Sequence, residues 1–385
     1  MKDVFIISDN IVSTLGCTTG ENFVQLTNGV TGIVQHPASS NTSPQPFYAS
    51  LIKNEQEKKW FADTGKNGEQ YTKFEKLLIF SISNALQNAT IDISDAETVL
   101  IISSTKGNIG LLETANMSGE LKDRISLHAS AKLIAHHFQN KNLPVVVSNA
   151  CISGLTALLT GKRLIESGQY KHAVVAGADL ISAFVLSGFQ SFQAISEQRC
   201  KPFDKDRNGI NLGEAAATII LSCNKNTSGT QVKLMGGAVS NDANHISGPS
   251  RSGQELCIAI NKALKQSGLI AAGIDFISAH GTATVYNDEM EAKAFSLAGM
   301  EAIPVNSLKG FYGHTLGAAG IVESVIAIQS LKKEMMIPTI GFLESGVSKP
   351  INVCKSLVRL TATHCLKTAS GFGGCNAALV FGKGS

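Results

Sequence analysis

The chain has 385 residues, 43% hydrophobic and 16% charged, enough apolar material for one large core or two packed halves. A formal net charge of +3 with no basic run argues against nucleic acid, and leaves room for a modest positive patch facing an acidic protein. No stretch approaches the roughly 20 uninterrupted apolar residues of a membrane helix, and Met1 to Gly16 read as strand and turn rather than as a secretory leader. Eight cysteines with no CxxC pair fit neither a disulfide framework nor zinc, so no metal is expected and a reducing, cytoplasmic setting is.

In chain order, β-branched runs mark strands at Val4–Ile7, Val99–Ser103, Val145–Ser148, Ala173–Ala176, Ala216–Leu221, Phe276–Ala279 and Ala377–Phe381. Between them lie helical spacings, such as Phe74, Leu78, Ile82 and Ala85, or Ile152, Leu155, Leu159 and Ile165. The alternation predicts an α/β fold with a largely parallel, buried sheet. Only the polar stretch His36 to Gln70 breaks the rhythm and reads as an irregular cap. The segment LPVVVSNACISGLTALLTGKRLIESG runs strand, turn, helix, and so does IPVNSLKGFYGHTLGAAGIVESVIAIQSLKKE. The pair suggests two related halves, residues 1–222 and 223–385, with their turns facing one pocket.

Three residues at such turns could carry chemistry. Cys151 ends an apolar strand and precedes a helix, where the helix dipole favours thiolate and the turn frees a backbone N–H. It reads equally well as a buried, inert thiol. His280 closes a strand beside Gly281, with Thr282, Thr284 and an acidic helix following; a hydrogen-bonded turn histidine is as good a reading. His314 stands among glycines, five residues after Lys309. His36, His136 and His137 occupy plain surface positions, and Cys200 sits in a charged loop where a structural role fits best. The glycine-rich turn around Phe372 leads into a strand, whereas a dinucleotide loop needs a following helix. A backbone N–H facing a reacting carbonyl suits it better.

Taken together, five segments in order resemble the β-ketoacyl-ACP synthases, condensing enzymes of the thiolase fold. SNACISG is similar to the nucleophile motif and KPFDKDRNGINLGEAAA to the PFD–R–G–GEGA loop. AHGTATVYNDEME, NSLKGFYGHTLGAAG and SGFGGCNAALVF are similar to the HGT–ND–E, KS–GHTxGAAG and GFGG–N motifs. The resemblance spans nearly the whole chain, and its Cys–His–His set looks like the elongating synthases rather than the type III initiating ones or thiolases. It implies a layered α/β/α/β/α arrangement of two related α/β halves.

It also implies roles. Cys151 would hold the acyl chain as a thioester, and His280 and His314 would act on a malonyl thioester. The N–H groups of Cys151 and Phe372 would form the oxyanion hole, with Phe372 also the gate. Lys309 and Glu291 would pair to hold the histidines, and Thr282 and Thr284 would contact the phosphopantetheine arm. The expected partners are acyl carrier protein, delivering malonyl and acyl groups, and a second copy or a related subunit in a homodimer or heterodimer. No resident cofactor is implied.

Two alternatives remain at this stage: a non-catalytic chain-length-factor-like subunit, which usually lacks the nucleophile, and a decarboxylase that does not condense. Three departures from the family pattern suggest a specialised polyene or polyketide synthase: the short stretch between Gly110 and Val145, Lys106 near the acyl pocket, and Ser370 where many relatives carry phenylalanine.

Overall fold

The structure is a computed structural model that describes residues 2–39, 43–61, 70–113, 119–225, 229–243 and 248–384. Its centre is an eleven-stranded sheet whose strands repeat one pattern twice. In the first unit the strands Phe5–Ser13, Thr98–Ser103, Val145–Val147, His172–Asp179 and Ala215–Ser222 lie side by side in the order first, fifth, fourth, second, third. In the second, Val232–Asn241, Phe276–Ser278, Pro304–Asn306, His364–Gly371 and Cys375–Lys383 take the same order. The short strand Asn352–Val353 is added at the far edge. The units join where Phe5 and Ile6 pair with Lys233 and Val232.

The sheet is not largely parallel, as the strand–helix alternation predicted. Five strand pairs are parallel and five antiparallel. The reason is local: His364–Gly371 and Cys375–Lys383 are joined by the tight glycine turn at Phe372 and so must run antiparallel. The strands at Val232–Asn241 and His364–Gly371 escaped the sequence reading because small residues and lone lysines interrupt their β-branched pattern.

Alternation along each strand builds the layers. Val99, Ile101 and Val175 face a core shared with helices Ser153–Glu166 and Ala319–Lys333, while Leu100, Ile102 and Val174 face helices Lys73–Gln87 and Leu127–His137. The second unit sends Phe276, Cys365 and Leu379 into that same inner core. It turns Ile277, Leu366 and Val380 toward helices Gln254–Ser267 and Val285–Leu297. The result is α/β/α/β/α, with two buried helices at the centre. These helices touch backbone to backbone: a Cβ on Gly154 would lie 2.8 Å from Ile321 N, and one on Gly320 would lie 2.7 Å from Leu155 N.

The polar stretch read as an irregular cap is more ordered than that. It holds strand Phe47–Ser50, paired with Leu212–Gly213, and helix Asn54–Phe61, although 40–42 and 62–69 lie outside the described residues. Phe47, Ala49, Ile52 and Phe61 are buried, so a few apolar side chains in a polar context anchor it.

Candidate active site

The third strand of each unit delivers one reactive group. Val145–Val147 leads through a turn to Cys151, and Pro304–Asn306 leads through the short helix Lys309–Tyr312 to His314. The turn at Cys151 is closed by Ile152 N–H donating to Asn149 O and Ser153 N–H donating to Ala150 O. The Ser153 hydroxyl donates to Ala150 O and accepts from Asn149 N–H. Ala150 takes φ 44°, a left-handed conformation that costs an alanine on the order of 1–2 kcal/mol. Ala283, two residues past Gly281, and Leu316, two past His314, share that strain with φ of 63° and 51°. Such outliers cluster where packing overrides local preference.

His314 is held by the loop Cys200 to Ala217. Its N–H donates to Asn211 O at 2.7 Å and its carbonyl accepts from Gly213 N–H at 3.0 Å. His280 follows strand Phe276–Ser278, and Glu291 accepts from the N–H groups of both His280 and Gly281, at 2.8 and 2.6 Å. The two imidazoles meet edge to face, centroids 5.1 Å apart at 82°. The Cys151 sulfur and one ring nitrogen of each histidine all lie within 4.8 Å of one another. All three residues are buried, yet all three line a cavity of about 420 Å³.

Burial dominates the electrostatics. Loss of water pushes the Cys151 thiol up to about 12, against a smaller opposing pull from Lys309 and a hydrogen bond from the backbone of Phe372. The resting sulfur is therefore a neutral thiol, and the thiolate anticipated from the helix dipole alone does not form without a base. Burial, followed by the Lys309 ammonium, holds His280 and His314 well below the usual imidazole range. Both rings are neutral at pH 7. His314 Nδ1 accepts from Leu316 N–H at 3.2 Å, which leaves the proton on Nε2, a buried atom with no hydrogen-bond partner among the described residues. A neutral donor N–H thus faces the reacting space.

Of the other residues singled out from sequence, Thr282 and Thr284 line the cavity and share a hydroxyl hydrogen bond of 2.9 Å. Thr284 also caps helix Val285–Leu297, by accepting from Asn287 N–H. Phe372, 37% exposed, stands at the cavity against Phe189 (stacked, 5.6 Å) and Phe192 (edge-on, 5.4 Å). Ser370 also lines the cavity and donates to Asn376 Oδ1. The Lys106 side chain is exposed and stands outside the cavity lining.

One expectation needs correction. Lys309 does not pair with Glu291; its ammonium pairs with Glu323 and donates to His280 O. Glu291 instead takes two backbone N–H groups, the Asn287 amide and the Thr368 hydroxyl. Its place five residues before His314 made Lys309 visible, but sequence spacing could not say which carboxylate lay across from it.

Sequence reasoning missed Asp179, Glu323 and Lys367. Asp179 is fully buried and accepts from Ser104 Oγ, Thr105 N–H and Oγ1, Lys106 N–H and Gly317 N–H, tying the Ser104 turn to the helix after His314. The available signal was a lone charge inside an apolar run: AVVAGADLI, AGIVESVIAI and HCLKTAS.

Among the described residues, Cys151, His280 and His314 are the one cluster of donors close enough to hold a metal ion. The buried ammoniums of Lys309 and Lys367, which lower both imidazoles, would also repel a dication there.

Known proteins resemble this chain along its whole length. It is 28% identical to a putative mitochondrial 3-oxoacyl-[acyl-carrier-protein] synthase of Schizosaccharomyces pombe, covering 100% of this chain and 99% of that one. It is 27% identical to 3-oxoacyl-[acyl-carrier-protein] synthase 2 of Vibrio cholerae, covering 99% of each. Among solved structures, a beta-ketoacyl synthase from Burkholderia phymatum superposes with a TM-score of 0.89 at 24% identity over 100% of both chains. AntDE:AntF, a type II polyketide acyl-carrier protein in complex with its ketosynthase, superposes at 0.86 with 21% identity over 99% of both. Residues 1–226 match the beta-ketoacyl synthase N-terminal domain and residues 232–343 the C-terminal domain, and the chain belongs to the beta-ketoacyl synthase family.

Proposed function

We propose that this chain is an elongating 3-oxoacyl-ACP synthase that loads an acyl group on Cys151 and condenses it with a malonyl unit, both delivered on the phosphopantetheine arm of acyl carrier protein. One observation carries the reading: a buried thiol and two neutral imidazoles converge at one cavity.

In the first half-reaction the Cys151 sulfur attacks the carrier thioester. An S–C bond forms, the pantetheine S–C bond breaks, and the thiol proton passes through a neutral imidazole to the departing pantetheine sulfur. The N–H groups of Cys151 and Phe372 receive the developing oxyanion. In the second, the malonyl carboxyl–carbon bond breaks to release carbon dioxide. The electron pair moves into an enolate whose oxygen accepts from His314 Nε2–H and His280. That carbon then attacks the Cys151 thioester carbonyl, forming the new C–C bond and breaking the Cys151 S–C bond. The departing sulfur takes up a proton from water, relayed by an imidazole, to return to the thiol. Electrostatic stabilisation by neutral donors suits this step, because an imidazolium would surrender its proton and quench the carbanion.

Thr282 and Thr284 line the cavity and would contact the arm in this reading, and Phe372, packed against Phe189 and Phe192 at the cavity, would gate it. The reading needs no metal and no resident cofactor. A partner acyl carrier protein and a dimeric assembly follow from it. An intact Cys151 weighs against a chain-length-factor role, since the nucleophile is what such subunits usually lack. Small Ser370 beside the gate supports a specialised chain, polyene or polyketide, over a housekeeping one.

The test is acylation from acyl-ACP read by mass spectrometry: wild type gains the acyl mass and Cys151→Ala does not. Equal labelling of both would remove Cys151 as the nucleophile.

A further inference from the structure

The backbone around His280 is held in an unusual way. Three consecutive carbonyls end on ammonium groups: Lys367 Nζ donates to Ser278 O and Ala279 O, both at 3.2 Å, and Lys309 Nζ donates to His280 O at 3.0 Å. The N–H groups of His280 and Gly281, interleaved with them, end on one carboxylate, Glu291. Lys367 closes the ring, because it also donates to its neighbour Thr368 O at 2.6 Å, and the Thr368 hydroxyl donates to Glu291 at 3.0 Å. The two ammoniums share Glu323, whose second oxygen lies 2.7 Å from Lys367. None of this touches water: Lys367 is 0% exposed, Lys309 1%, Glu291 0% and Glu323 3%.

Such an arrangement is costly to build. A lysine enclosed in protein loses hydration worth several kcal/mol, and removing both members of a buried pair is often harmless or stabilising. Three carbonyls could have been satisfied by water or by neutral donors. A second cation beneath an imidazole, however, does something that a neutral donor cannot: it opposes a positive charge on the ring.

We infer that Lys367 is a positioning residue for the condensation, fixing the His280 turn from below and keeping the paired imidazoles in their neutral, hydrogen-bond-donating form. The inference rests on the proposed condensation, in which neutral imidazoles stabilise the enolate. The electrostatics agree in direction: burial and then Lys309 lower both His280 and His314 most, and Lys367 adds to them. The charged and titratable groups around the rings come from every packed element. Lys309 and Glu323 lie on the His314 side, Glu291 and Asp288 on helix Val285–Leu297, Asp179 on its strand, and Cys151 at the cavity. Glu323 is shared between the two lysines, and Glu291 also faces Lys367, so both ammoniums are matched by buried carboxylates. The ammoniums, not the carboxylates, are what act on the rings, and both lower them.

The consequence falls on one half-reaction. Loading Cys151 needs a base to take a proton, whereas decarboxylation needs two neutral donors in register. At pH 8, where the rings stay neutral either way, loss of the buried cation therefore spares the first and damages the second. It also raises the imidazole pKa, so the acid limb of decarboxylation moves to higher pH.

The experiment measures malonyl-ACP decarboxylation against pH, and acyl transfer to Cys151 separately, for wild type, Lys367→Met and Lys367→Gln in the full chain. Wild type decarboxylates with an acid limb below about pH 6.5. At pH 8 both variants load Cys151 within about twofold of wild type. In Lys367→Met decarboxylation falls by about tenfold or more at pH 6.5, and the limb moves up by about one pH unit. Lys367→Gln, which keeps a donor without the charge, shows the same limb shift with a smaller loss at pH 8.

A folded variant with the wild-type limb and an unchanged ratio of decarboxylation to loading would overturn the inference. So would a wild-type limb at or above about pH 6.5, which needs no variant to fold. Failure of wild type to load Cys151 at all would instead sink the proposed function and is read independently of pH.

Discussion

At Cys151 the sulfur is desolvated, and its acid strength follows from that rather than from the helix it precedes. Iodoacetamide should accordingly alkylate this thiol slowly at pH 7, with a rate that keeps climbing through pH 9 instead of levelling off, as measured by mass increase on Cys151. His314 presents a proton on Nε2 because Leu316 N–H occupies Nδ1. His314→Ala should lower malonyl-ACP decarboxylation by about 100-fold or more, the usual loss on removing one oxyanion donor, while acyl loading persists. Radioactive carbon dioxide release separates the two. Asp179 is a residue of the other kind, touching no reacting atom by our assignment yet accepting five donors. Asp179→Ala strands those donors in the interior and should cost on the order of 3 kcal/mol in urea unfolding, at the upper end for an unsatisfied buried group.

The pattern at the scale of elements is a strand that ends in a turn and a helix that starts with small residues, used twice. Helices Ser153–Glu166 and Ala319–Lys333 can cross only because Gly154 and Gly320 carry no side chain. That crossing sets how far Cys151 lies from His314. Gly154→Ala should therefore destabilise by about 1–3 kcal/mol, the range for overpacking a dense core, and should lower condensation more than thermal stability alone would explain. Calorimetry beside a condensation assay checks both. The motif segments were legible as strand, turn and helix because apolar periodicity and glycine placement are local properties. The strand Val232–Asn241 was not, since Gly236 and Gly237 are dictated by contacts with Ser267 and Leu379 from elsewhere in the chain.

At the scale of the molecule, strand Val145–Val147 ends the sheet on one side with no further strand beside it among the described residues. Its neighbour Leu143 is 75% exposed. An open apolar edge is covered in most stable proteins, and a second copy pairing there would extend the sheet. The protein should run at twice its 40.6 kDa in light scattering, and Val146→Asp should shift it toward the single-chain mass. Among the described residues, no helix is long and apolar enough to cross a membrane.

Sequence alone pointed to the class of chemistry, because Cys151, His280 and His314 each stand in one of five segments whose order resembles the condensing enzymes, although the residues taken singly read as well as buried or turn positions. It also determined the doubled α/β plan, since periodicity survives without knowledge of contacts. Tertiary structure decided the rest. It set the sheet's mixed direction, gave Lys309 to Glu323 instead of Glu291, and placed Asp179 and Lys367 beneath the site. It also made the thiol neutral. These are properties of residues far apart in the chain, and they depend on which groups lose water together, a quantity that no window of sequence contains.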